Sequence, residues 1–96
     1  MITGKAKELF LRWFKDEKLM TGFEDKPIYT QIFLLCEWFR IKNYCISVRL
    51  NYYLSDYSAE IKFNEGNIET FGHENLEKAY VRAIEISNEE FNDRFE

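Results

Sequence analysis

The stretch YCISVRLNYY, residues 44–53, decides the fold, because its side chains alternate between two sets. One set is mostly apolar and the other mostly polar: Tyr44, Ile46, Val48, Leu50 and Tyr52 against Cys45, Ser47, Arg49, Asn51 and Tyr53. In an extended chain successive side chains point to opposite faces, so this period of two predicts a β-strand with one face in the core. Such a strand needs partner strands beside it.

Two further strands are predicted downstream of this segment. Residues 57–63 alternate in the same way, and residues 68–71 form a short third strand. The pair Ser55-Asp56 supplies one turn, and residues 64–67 supply the other, in which Gly66 can adopt a positive φ. Since short turns join antiparallel neighbours, the segment predicts a three-stranded antiparallel meander.

Apolar residues at spacings of three and four predict three helices around this meander. They cover residues 3–18, residues 27–42 with Pro27 at the start, and a last segment that Asn75 or His73 caps and that runs to about Arg94. The order α-α-β-β-β-α predicts one α+β domain over residues 1–96, a two-layer sandwich with the helices on one face of the sheet. The expected core comprises Leu9, Phe10, Trp13, Ile32, Leu35, Phe39, Ile46, Val48, Leu50, Ile61, Ala83 and Ile84.

The composition excludes several classes of protein. With 46% hydrophobic and 31% charged residues, the chain is neither disordered nor of low complexity. No apolar run reaches the roughly 18 residues that cross a bilayer, and the first residues lack the apolar stretch of a signal peptide. We therefore expect a cytoplasmic protein that does not enter the membrane.

The residues that usually carry chemistry are scarce. Cys36 and Cys45 are the only cysteines and His73 is the only histidine, so a zinc site, which takes about four ligands, is not expected. No phosphate-binding glycine motif and no HExxH motif occurs. Glu60 with Arg49 or Lys62 could act as acid and base, but such residues on neighbouring strands usually form ion pairs. We expect no enzymatic activity, no catalytic residues and no cofactor.

The charge distribution argues against most modes of nucleic-acid binding. Residues 1–50 hold nine Lys and Arg against six Asp and Glu, whereas residues 51–96 hold four against eleven. The start of the last helix is acidic, unlike that of double-stranded-RNA-binding domains. The outward sheet face carries balanced charge, with Tyr53 as the one stacking candidate. The alternative that stays open is weak nucleic-acid binding by the first helix, through Lys5, Arg12, Lys15 and Lys18.

The helix predicted over residues 27–42 carries more aromatic and aliphatic side chains than one small core needs. Leu34 and Trp38 lie on a different side of it from Ile32 and Leu35. Either the first helix covers that second side, or it stays exposed and binds a partner. Exposed aromatic residues dominate protein interfaces, so the second arrangement predicts a homodimer or a partner-binding module. Its binding residues would be Tyr29, Phe33, Leu34, Trp38 and Ile41.

The end of the chain resembles a known group of proteins. The residues Lys78-Ala79-Tyr80, then Ala83-Ile84, then residues 88–92 are similar to the closing EAR…AI…NEIYN helix of small phage- or prophage-encoded proteins from gut bacteria. Tyr80 stands where that group favours Arg, and Phe91 where it favours Tyr. The resemblance implies a small accessory protein of phage origin with no assigned activity, and it transfers no catalytic or binding residue.

Overall fold

The structure, a computed structural model that describes residues 1–95, has the predicted order of elements. They are α1 (Gly4–Asp16), a 3₁₀ turn (Phe23–Asp25), α2 (Ile28–Ile41), β1 (Cys45–Asn51), β2 (Asp56–Phe63), β3 (Gly66–His73) and α3 (Leu76–Phe95). The α+β class is therefore confirmed. The 3₁₀ turn was not predicted, and it begins after Gly22, whose φ of 70° lies in the left-handed region that favours glycine.

The three strands form one antiparallel sheet in the order β1-β2-β3. Ile46 lies opposite Ile61, which in turn lies opposite Ile68, so one face of the sheet is apolar. The β2–β3 turn needs only residues 64 and 65, because Gly66 (φ 148°) already pairs with Phe63. The third strand is accordingly longer than the predicted residues 68–71.

All three helices lie on the apolar side of the molecule. Helix α3 packs across the three strands, α2 packs on β1 and α3, and α1 packs on α3. Ala83 and Ile84 of α3 are fully buried, in the same core cluster as the sheet residues Ala59 and Ile61. The outer face of the sheet has no helix against it among residues 1–95.

An aromatic cluster joins the helices. Phe10 of α1 contacts the rings of Phe14, Phe23 and Trp38 at centroid distances between 4.8 and 5.9 Å. Most of the expected core residues are buried or packed against the core, but Leu50 is 54% exposed. That prediction was wrong, because β1 is an edge strand and no element of residues 1–95 covers its last inward-facing residue.

Helix α1 is capped by α3 and not by its own residues. The Thr3 side chain makes no cap within α1. Instead, Asn88 Oδ1 accepts a hydrogen bond from the Thr3 N–H and Asn92 Oδ1 accepts one from the Ala6 N–H, both at 2.9 Å. The Asn88 and Asn92 amides donate in return to the Thr3 hydroxyl and carbonyl at 3.0 Å. Backbone groups left open at a helix start are thereby satisfied from a distant part of the chain.

Candidate interaction surfaces

Trp38, a predicted partner-binding residue, belongs to the core. It is 1% exposed, and its ring centroid lies 5.9 Å from Phe10, 5.1 Å from Phe39 and 5.2 Å from Phe91. Phe10 lies on α1, so the first helix covers this side of α2. Leu34 is half-buried and packs against the same core. The prediction of an exposed Trp38 is therefore wrong, and the alternative in which α1 covers it is correct.

The other three predicted partner-binding residues are exposed but do not form one surface. Phe33 is 61% exposed, and Tyr29 lies one helical turn before it on the same face of α2. Ile41, half-exposed at the end of α2, borders instead a shallow groove of about 250 Å³ beside Leu9 and Trp13 of α1. The exposed apolar part of α2 is thus Ile28, Tyr29 and Phe33 in its first half, with Ile41 separate at its end.

Among residues 1–95, the longest run of consecutive exposed apolar side chains lies in the loop between β1 and β2; we call it the hairpin tip and define it as Tyr52, Tyr53 and Leu54. These consecutive side chains are 82%, 97% and 73% exposed. The two tyrosine rings contact each other edge to face at 5.8 Å. The predicted strand ran to Tyr53, whereas β1 ends at Asn51.

Hydrogen bonds hold the backbone beneath the hairpin tip. The Leu54 N–H donates to the Asn51 carbonyl at 3.2 Å, which closes a turn. The Asn51 side-chain amide donates to Asp56 Oδ1 at 2.9 Å, and Ser55 adopts a positive φ of 52°. The apolar side chains therefore project from a turn fixed at its base.

The outer face of the sheet carries a shallow polar depression of about 120 Å³, lined in part by Arg49, Glu60, Glu69 and the exposed Phe71. A 2.7 Å hydrogen bond from the Asn67 amide holds the pKa of Glu60 below its usual value, helped by the positive charge of Lys62. Lys62 lies 3.8 Å from Glu60 on the same strand and not across strands. Paired charges of this kind are typical of a solvated sheet face.

Acidic side chains lie beside three of the four basic residues predicted to bind nucleic acid. Glu8 lies 3.5 Å from both Lys5 and Arg12, within reach of an ion pair with each. Lys18 Nζ lies 2.7 Å from Glu37 of α2 and 5.3 Å from the centre of the Trp13 ring. Three of the four predicted residues are therefore already paired, while Lys15 lies exposed in the last turn of α1.

The two cysteines differ in environment. Cys36 of α2 is half-buried, and desolvation raises the pKa of its thiol to about 11. Cys45 at the start of β1 is exposed. Since the thiolate is the reactive form, burial protects Cys36 twice, by limiting access and by disfavouring ionisation.

We expect a thiol reagent at about pH 8 to label one cysteine per folded chain, Cys45, and to reach Cys36 only after denaturant is added. Mass spectrometry of the labelled peptides measures this directly. A Cys45→Ser variant is the control and should show little labelling until it is unfolded. Equal labelling rates for the two thiols of the native protein would contradict the burial of Cys36.

Within residues 1–95, no cluster of three or more His, Cys, Asp and Glu side chains is placed to hold a metal ion. The His73 ring nitrogen Nε2 lies 2.6 Å from the Thr70 hydroxyl, so the one histidine has a local partner. In the same part of the chain, no helix has the length and apolar character that crossing a membrane requires.

Comparisons with known proteins add no relative to these observations: no protein-family model, no curated protein sequence and no solved structure matches the chain.

Proposed function

We propose that the protein is a protein-interaction module that contacts its partner through the hairpin tip. One observation carries the proposal: three consecutive large side chains, Tyr52, Tyr53 and Leu54, are each more than two-thirds exposed. Single exposed apolar residues are ordinary on a protein surface, whereas contiguous ones mark binding sites. Tyrosine is enriched at interfaces because its ring adds apolar contact area and its hydroxyl hydrogen-bonds.

The fixed base of the tip supports the same proposal. Two hydrogen bonds hold the turn, one between the backbones of Leu54 and Asn51 and one between the side chains of Asn51 and Asp56. A preformed loop loses less conformational entropy when it binds than a mobile one does. A partner with an apolar pocket would then gain the burial of two aromatic rings at a low ordering cost.

The Tyr29–Phe33 face of α2 is the second candidate surface, and it is what remains of the predicted interface on residues 27–42. Its two rings share one face of a regular helix, and Phe33 is 61% exposed. A partner would bind it by laying an apolar groove along the helix. Tyr29 and Phe33 are 41% and 61% exposed, each less than any residue of the hairpin tip.

Affinity capture from the source organism, followed by mass spectrometry, tests the two surfaces against each other. A Tyr52→Ser, Tyr53→Ser, Leu54→Ser triple variant is expected to lose the specific partner. A Tyr29→Ser, Phe33→Ser double variant is the matched control and should retain it. Both variants change exposed residues, so each should fold like the wild type by circular dichroism.

If the α2 double variant loses the partner and the hairpin-tip triple variant retains it, the interface lies on α2. If the wild type and both variants capture the same proteins, neither surface is the binding site. Retention of wild-type protein on heparin, lost with a Lys15→Glu substitution, would instead favour nucleic-acid binding by α1. The phage origin, the cytoplasmic location and the lack of enzymatic activity stay predictions.

A further inference from the structure

The two edges of the sheet differ in how well they are protected against pairing. At the β3 edge the pairing register with β2 shifts between Tyr57 and Ala59, and Gly72 adopts a φ of 76°. Such irregularities twist a strand edge and hinder the addition of another strand. The β1 edge has no such device: its seven residues pair one-to-one with β2, and they include neither proline nor lysine.

The β1 edge also has unused bonding capacity. A strand with one neighbour uses the N–H and C=O of every second residue, and the alternate residues direct theirs away from the sheet. In residues 1–95, β1 pairs with β2 alone. A seven-residue strand laid along this edge would continue the ladder.

The apolar face of the sheet is less well covered at the β1 edge than at its centre. Ala59 and Ile61 of β2 are 2% and 0% exposed, whereas their β1 partners Val48 and Ile46 are only partly buried. Leu50, the next inward-facing residue of β1 after Val48, is 54% exposed. A strand added beside β1 would place apolar side chains next to these residues.

We infer that the β1 strands of two copies of this chain pair antiparallel about a two-fold axis at Val48, which joins two three-stranded sheets into one of six strands. In this register Val48 lies opposite Val48, and Ile46 lies opposite Leu50 of the second copy. Ser47 lies opposite Arg49 of the second copy. The inference goes beyond the proposed function and does not use the hairpin tip.

Side-chain charge and the number of paired residues favour this register over the two adjacent ones. The apolar faces of the two copies lie on the same side of the joined sheet only if the two-fold axis passes through a residue of β1. The nearest alternatives to an axis at Val48 are therefore axes at Arg49 and at Ser47. An axis at Arg49 sets two guanidinium groups opposite each other, which is unfavourable. An axis at Ser47 pairs only five residues of β1 and leaves Leu50 without a partner in the strand. The Val48 axis pairs all seven residues without a like-charge contact.

Substitutions at Ser47 test the dimer, because this residue lies opposite a negative charge in its own chain and, in the dimer, opposite a positive charge of the second copy. It lies opposite Glu60 of β2 and, in the dimer, opposite Arg49. Ser47→Glu adds repulsion within the chain and attraction between chains, and Ser47→Arg does the reverse. Two equivalent pairs form per dimer, so we expect the dissociation constant to change by about tenfold in each direction, tighter for Glu and weaker for Arg.

Sedimentation equilibrium from micromolar to submillimolar concentration measures the dissociation constants. Thermal unfolding of the dilute monomer should shift in the opposite sense, which separates dimer contacts from fold stability. A wild-type protein that stays monomeric over this range overturns the inference. So does a dimer whose affinity moves the same way, or not at all, in both variants. A dimer retained by the hairpin-tip triple variant shows that this inference and the proposed function stand or fall separately.

A disulfide between the copies reports the register. An Asn51→Cys variant places the new thiol opposite the native Cys45 of the second copy, at the roughly 5 Å Cα separation that a disulfide spans. Within one chain the two positions lie about 20 Å apart along the strand, too far to bond. We expect mild oxidation to convert this variant to covalent dimers. A Ser47→Cys variant, whose thiol lies opposite another thiol only with the axis at Ser47, should remain mostly monomeric on a non-reducing gel. Equal cross-linking of both variants, or of neither, overturns the Val48 register.

Discussion

Replacing Trp38 with alanine is expected to lower the free energy of unfolding by about 3–5 kcal/mol, the usual cost of truncating a fully buried aromatic side chain. The indole contacts the rings of Phe10, Phe39 and Phe91, which lie on all three helices. Its removal leaves a cavity where these helices meet. Urea unfolding followed by far-ultraviolet circular dichroism gives the change in free energy from the transition midpoint and slope.

Phe33→Ala is the matched control for this substitution. It removes another aromatic ring from the same helix, but from a position that is 61% exposed. We expect a change of at most about 0.5 kcal/mol, as for other surface substitutions. Similar losses for the two variants would contradict the division of α2 into a buried Trp38 side and an exposed Phe33 side.

The double substitution Asn88→Ala, Asn92→Ala is expected to cost about 2–4 kcal/mol. It removes the acceptors of the Thr3 and Ala6 N–H groups, and a helix cap is worth about 1 kcal/mol while a buried unsatisfied group costs about 1–3 kcal/mol. The two single variants should not add up to the double variant, because both asparagines contact Thr3. Thermal unfolding of the four proteins measures these differences.

Asn92→Asp tests whether the cap is the cause. The aspartate keeps an oxygen acceptor for the Ala6 N–H and adds a negative charge near the start of α1, where the helix dipole favours it. It gives up the amide's hydrogen bonds to the Thr3 carbonyl, at 3.0 Å, and to Asn88 Oδ1, at 3.5 Å. We therefore expect Asn92→Asp to be more stable than Asn92→Ala. The reverse order would mean that Asn92 acts through packing and not through the hydrogen bond to α1.

Periodicity was enough to predict the order and class of the elements. The alternation along residues 44–53 has no competing helical interpretation, and the helical stripes are long. Periodicity says which residues share a face, but not which neighbour covers that face. This is why Leu50 was predicted to be buried although it lies on an edge strand, and why the cover that α1 gives Trp38 was left as one of two alternatives.

The candidate surface was predicted less well than the fold. The alternation continues through Tyr52 and Tyr53, so the strand was extended into what is the hairpin tip. The turn depends on the Asn51–Asp56 hydrogen bond and the positive φ of Ser55, neither of which follows from hydrophobic pattern. The cap that Asn88 and Asn92 provide for α1 could hardly be predicted from the sequence. Their spacing of four places them on one face of α3, but asparagine on a helix is usually solvated.

The cap on α1 has a consequence for the order of events during synthesis. The amide that Asn88 binds belongs to a residue 85 positions earlier, so the first helix is made long before its cap leaves the ribosome. Until then, N–H groups at the start of α1 lack their acceptors on α3. The aromatic side chains of α1 also lack the residues of α2 and α3 that they pack against in the folded protein. We expect the chain to acquire protease resistance in a single late step, once residues 88–92 have emerged, and not helix by helix.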